Sequence, residues 1–235
     1  MDEVMDLFYK NKLIVRAMDL PSFGKCDGKL YYDCSTWANE FSLMEQEKFT
    51  SVSSTLIIPK APITLYKNVG YLVDSSLAEC FHISKNDSGS SGNIADGDFS
   101  ANEADFSSID ELAKYIISNH HYDMNEVNLN LDLTSVLGLV VSKCFRESIL
   151  LKRMLIVRQA LCDLTGITYP IYEYDAKTGS LSFIDLSIEK QEAIIASTKD
   201  NRFDNIMDYF YYTDDSEEII RGEFSLETPK PKMKF

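Results

Sequence analysis

The sequence predicts an α+β fold, and three observations carry that prediction. Short stretches of alternating apolar and polar residues fill the first third of the chain. Apolar residues at helical spacing dominate the second half, and a strand–loop–strand segment around residue 175 has hairpin chemistry. Together they predict an N-terminal antiparallel sheet or small barrel with one helix, then a helix-rich part whose β-hairpin packs on a long central helix.

The elements follow in order. Lys12–Met18 and Lys29–Asp33 read as short strands, with Gly24, Asp27 and Gly28 turning the chain between them. Ser35–Phe49 reads as a helix, because Trp37, Phe41, Met44 and the stem of Lys48 recur at helical spacing. Thr55–Pro59, Ile63–Asp74 (broken near Asn68 and Gly70) and Leu77–Ser84 follow as strands, the last two with half-buried alternation. Residues 85–106 are rich in Ser, Gly, Asn and Asp and hold little that packs, which marks a linker or a long functional loop.

Ser108-x-x-Glu111 is a capping box, opening a helix to about Ser118. Thr134 to Leu164 contains no Pro and one Gly, and its two apolar stripes predict one long central helix stopped by Gly166. Thr168–Tyr174 and Ser180–Asp185 flank a five-residue loop ending in Gly179, the hairpin named above. Ser187–Ser197 and Asn205–Tyr212 both read as helices. The expected organisation is a strand-rich part at 1–85, a linker or loop at 86–106, a helix-rich part at 107–228 containing hairpin 168–185, and a basic tail at 229–235. The two parts are compatible with a single domain.

Charge narrows the partner class. The chain has 235 residues, with 23 basic against 37 acidic side chains and a formal charge of −14. Clustered Lys and Arg are what phosphate backbones and anionic membranes require, so neither is expected as a direct partner. The excess is segmented: Lys85 to Glu111 holds seven acidic residues against one basic, and Asp185 to Glu227 holds twelve against four. Lys143, Arg146, Lys152, Arg153 and Arg158 lie between, on the expected long helix, where they could compensate the acidic segments internally. Five cysteines without framework spacing, and no apolar run long enough to span a bilayer, point to reduced thiols in a cytoplasmic setting.

Site motifs are sparse. Cys26 and Cys34 lack zinc-type spacing, the adjacent His120 and His121 diverge on any regular element, and Asp87, Asp96 and Asp98 lack the spacing of a calcium loop. Gly89-x-x-Gly92 has no Lys-Ser/Thr ending and sits among carboxylates that repel phosphate. No cofactor or metal is expected.

One segment suits nucleophilic chemistry. In Tyr32-Asp33-Cys34-Ser35-Thr36-Trp37, a Cys stands where a strand passes into a helix, a position that stabilises a thiolate. Locally Asp33-Cys34-Ser35 resembles the NlpC/P60 peptidases, and Asn68-Val69-Gly70 resembles their His-Val-Gly strand with Asn in the His position. The resemblance implies a papain-like cysteine hydrolase or acyltransferase, with Cys34 attacking a carbonyl. In this chain His82 would move the proton and Asp87 would orient it. A buried structural Cys is the competing account.

The leading expectation is a non-enzymatic acidic binding protein: an immunity-like protein, a phage-encoded inhibitor or an assembly subunit. Asp208–Asp215 interleaves aromatics with carboxylates, so Tyr209, Tyr211, Asp214, Asp215, Glu217 and Glu218 are the expected partner-binding residues. The expected partner is a basic protein surface, such as that of a nucleic-acid-handling enzyme; oligomeric state is left open.

Overall fold

The computed structural model describes residues 3–46, 52–65, 67–85, 105–119, 125–143, 147–197, 208–212 and 219–226. Among them the chain forms five helices and twelve strands in two sheets, an α+β protein. The helices are α1 (Glu3–Tyr9), α2 (Ser35–Glu45), α3 (Ile109–Ser118), α4 (Glu147–Thr165) and α5 (Ile188–Ser197). The strands are β1 (Leu13–Met18), β2 (Ser22–Cys26), β3 (Lys29–Asp33), β4 (Val52–Leu56), β5 (Val69–Asp74), β6 (Glu79–Ser84), β7 (Glu126–Asn130), β8 (Val136–Ser142), β9 (Ile171–Asp175), β10 (Ser180–Phe183), β11 (Asp208–Tyr212) and β12 (Ile219–Glu223).

The larger sheet runs β10-β9-β8-β5-β1-β4-β7-β6, and the smaller runs β12-β11-β3-β2. In the larger sheet β8 and β9 are parallel and joined through α4, while the other neighbours are antiparallel. Period-two side-chain alternation divides its central strands between two cores. Ile14, Tyr71, Val73, Leu139, Val141 and Ile171 face one way, into a core shared with α2, α3, α4 and the smaller sheet. Leu13, Val15, Leu72, Val140, Tyr172 and Tyr174 face the other way, against Val4 and Phe8 of α1. The central strands are therefore buried on both faces.

That burial corrects the reading of Thr134–Leu164 as one helix. Val136–Ser142 is strand β8, and the helix begins only at Glu147. A strand covered on both faces is apolar at every position, so it carries no period that separates it from a buried helix. Asn205–Tyr212 is corrected too: Asp208–Tyr212 is strand β11, paired parallel to β3 and antiparallel to β12. Four successive aromatics favour a pleated, half-buried surface over a helix. The part from residue 107 onward thus carries six strands beside its three α-helices among the described residues. Phe23-Gly24-Lys25 lies within β2, and the turn is Asp27-Gly28, both at positive φ.

Strands from both sides of residues 86–106 stand side by side. β5 pairs with β8 in the larger sheet, and β3 pairs with β11 in the smaller. Residues 86–104 themselves lie outside the described residues.

Other local expectations hold in detail. The Ser108 hydroxyl accepts the Glu111 N–H at 3.3 Å, while the Glu111 carboxylate reaches back to the N–H of Ser107 at 2.9 Å. β9 and β10 form the expected hairpin, with Gly179 at φ +59, and Gly166 ends α4 at φ +72. The Asn125 side chain extends the sheet like a backbone: it accepts the Leu56 N–H at 2.8 Å and donates to the Leu56 carbonyl at 3.0 Å.

Between α2 and the sheet lies a polar cluster. Arg16 donates to Glu40 at 2.7 Å, and the Tyr71 hydroxyl donates to the other Glu40 oxygen at 3.1 Å. The cluster ties β1 and β5 to α2.

Candidate functional site

Cys34 caps α2 at the end of β3, as its local sequence requires, but it is fully buried. Its backbone N–H donates to the Phe210 carbonyl at 3.0 Å, which places it under the smaller sheet. Burial, then the charge of Asp33, push its thiol well above the ordinary range. A nucleophilic thiol needs the reverse shift. His82 is buried on β6, the outermost strand of the larger sheet, and Asp87 lies outside the described residues. The Asn68 carbonyl accepts the Ser142 N–H at 2.7 Å, so that loop serves the β5–β8 pairing.

The aromatic segment is also corrected. Tyr209 and Tyr211 are 1% and 4% exposed, stacked on one face of β11 with ring centroids 6.3 Å apart, and they belong to the core containing α2 and α4. Phe210 points oppositely, edge-on to Tyr31. Tyr209 and Tyr211 therefore hold the smaller sheet onto the helices, and Tyr212 is the member of this run that reaches solvent. Asp214, Asp215, Glu217 and Glu218 lie outside the described residues.

Two of the basic residues of α4 are turned inward. Lys152 and Arg158 are 4% and 9% exposed, and Arg153 lies over the Phe23 ring at 5.1 Å. Arg158 donates to Gln191 of α5 at 3.3 Å, and burial lowers its pKa. Elsewhere basic side chains are taken up in pairs: Lys10 with Asp6, Lys12 with Asp110, Lys67 with Asp19, Lys190 with Asp185, and Arg221 with Asp27.

Among the described residues, one cleft is lined by large exposed apolar side chains. A cleft of about 490 Å³ opens between the C-terminal end of α1, the segment 58–62 and the last turn of α3. Tyr9, Asn11, Ile58, Pro59, Lys60 and Ile117 are among its walls. Tyr9 and Ile117 are more than half exposed although both are large and apolar. Asn11 and Lys60 have positive φ, at 58° and 63°; Asn adopts that region readily, whereas a lysine there is strained. Composition and motif spacing did not single out this cleft. Its signal was Pro59-Lys60-Ala61-Pro62, two prolines bracketing a turn, beside adjacent Ile116 and Ile117 that cannot both face one core.

Among the described residues no group of three or more His, Cys, Asp or Glu is placed to hold a metal, and no helix is long and apolar enough to cross a membrane. No family model matches the chain, and no curated protein matches it.

Proposed function

We propose that the chain is a non-enzymatic binding or inhibitor protein that meets a basic protein surface through its acidic exterior. The observation that supports this reading is the fate of the α4 cations. Lys152 and Arg158 are buried, and Arg158 donates to Gln191 of α5, so these two cations contribute little to the exterior. A charge of −14 then works largely outward, where it steers a cationic partner and repels phosphate. The sealed, protonated Cys34 supplies no nucleophile for a hydrolase, so that reading is not carried further. The corrected position of Tyr209 and Tyr211 moves the contact away from those rings and onto the carboxylates and Tyr212.

The test is kinetic. With a partner recovered by crosslinking, association should slow about tenfold or more between roughly 0.1 and 1 M salt, as the Debye length contracts from about 10 to 3 Å. Dissociation should change much less. Changing Asp214, Asp215, Glu217 and Glu218 to Asn and Gln should slow association at low salt. An association rate indifferent to salt and to these substitutions overturns the proposal.

A further inference from the structure

We propose that the cleft between α1 and α3 binds a small amphiphile bearing a single carboxylate, with Lys60 as its anion contact. This site is separate from the acidic exterior and does not depend on the protein-binding reading.

The turn that presents Lys60 is the first reason. The Ala61 N–H donates to the Ile58 carbonyl at 3.2 Å, with Pro59 second and Lys60 third in the turn. A turn with Pro second and positive φ third asks for Gly or Asn at the third place, because a side chain there is crowded. Lys occupies it nevertheless. The turn also cannot relax: the Lys60 N–H donates to the Gly179 carbonyl at 2.8 Å, and a Cβ on Gly179 would come within 2.3 Å of the Ala61 oxygen. Local conformation therefore opposes a lysine, and what the lysine contributes is its exposed cation.

Charge complementarity is the second reason. Lys60 is the charged residue among the described walls of the cleft, and no described carboxylate pairs with it. On the flanking helices Asp6 holds Lys10, Asp110 holds Lys12, and Glu111 accepts from Ser107. In a chain of charge −14, an unpaired lysine set above Ile58, Pro59, Tyr9 and Ile117 matches an anionic head on an apolar body. The volume lies within the range of about 300–1,000 Å³ usual for small-molecule sites.

The neighbouring backbone selects the anion. Tyr9 is the last residue of α1, and Asn119 caps the C-terminus of α3. Both helices bring their partially negative ends to the rim, which weakens the binding of any anion and weakens that of a multiply charged phosphate most. A lone ammonium is a point charge and lacks the bidentate fork of an arginine. A single carboxylate suits one lysine.

The experiment uses 4-phenylbutyrate as probe and its neutral amide, 4-phenylbutyramide, as the matched control, read by amide chemical shifts of the labelled full chain. The carboxylate should give saturable shifts at Asn11, Lys60, Ala61 and Ile117, and the amide should bind about tenfold more weakly or worse, as expected for a lost charged hydrogen bond. Lys60→Gly should lose the same factor while melting no lower than the parent, since Gly accepts the left-handed turn. Lys60→Met, which keeps the apolar stem, should lose it as well, and Lys60→Arg should retain binding. Equal binding of acid and amide, undiminished binding by Lys60→Gly or Lys60→Met, or the absence of saturable shifts in the cleft overturns the proposal.

Discussion

Cys34 stands at a helix N-terminus, where free N–H groups favour a thiolate, yet its thiol is pushed upward. Two effects compete there. The helix end contributes roughly 0.3–1 kcal/mol at an exposed site, whereas full burial can shift a pKa by about 3–5 units. At a side chain with no exposure, desolvation wins. Iodoacetamide should therefore leave Cys34 unlabelled at neutral pH until the chain unfolds, and the half-exposed Cys80, itself raised by burial to about 11, should react before Cys34 in a peptide-mapped time course. The sign of the pH dependence follows. A folded-state pKa above the unfolded value of about 8.5 adds stability in full below that value and loses it as pH rises toward the raised one. Tyr169 and Tyr174, both raised to about 12 by burial, extend the loss above about pH 10. Urea midpoints should fall from about pH 8.5 upward. Cys34→Ala should reduce the first part of that fall and Cys34→Ala with Cys80→Ala should abolish it, and a parent profile flat to pH 11 contradicts the assignment.

At the scale of elements, β11 shows how packing chooses among local options. Its aromatic run could sit on a helix, but the strand buries Tyr209 and Tyr211 on one face and Phe210 on the other. Small residues make room for these rings. A Cβ on Gly222 would lie 1.9 Å from the Tyr209 ring, and one on Gly24 would lie 1.8 Å from Phe210. Gly222→Ala should accordingly cost about 1–3 kcal/mol by overpacking. A paired Tyr209→Leu should recover part of that cost, measured as urea midpoints. Additive losses mean the two side chains do not compete for one space. The element boundaries legible in the sequence were those with local chemistry, the Ser108 cap, the Gly166 stop and the Gly179 turn. β8 and α4 ran together because residues 136–142 are apolar on both faces and announce no period.

For the whole molecule, shared sheets decide how the halves relate. β5 and β8 pair across residues 86–106, as do β3 and β11, so neither half can complete a sheet alone. Fragments 1–90 and 100–235, expressed separately, should each lack cooperative unfolding and should regain it when mixed. Independent two-state melting of either fragment restores the two-part organisation. The net charge of −14 also belongs to this scale, since it sums over the whole chain rather than residing in one motif.

The amino-acid sequence by itself determined the α+β class, the strands and turns with local punctuation, the α3 cap and the strongly acidic balance. These depend on spacing, turn chemistry and counting, which need no distant neighbour. The tertiary structure decided that residues 136–142 are a strand, that Tyr209 and Tyr211 are core, that Cys34 is sealed and that α4 turns Lys152 and Arg158 inward. It also assembled the cleft from residues 9, 58–62 and 116–119. Burial and charge compensation are properties of what a side chain meets, and its partners here lie far along the chain, where no local pattern can encode them.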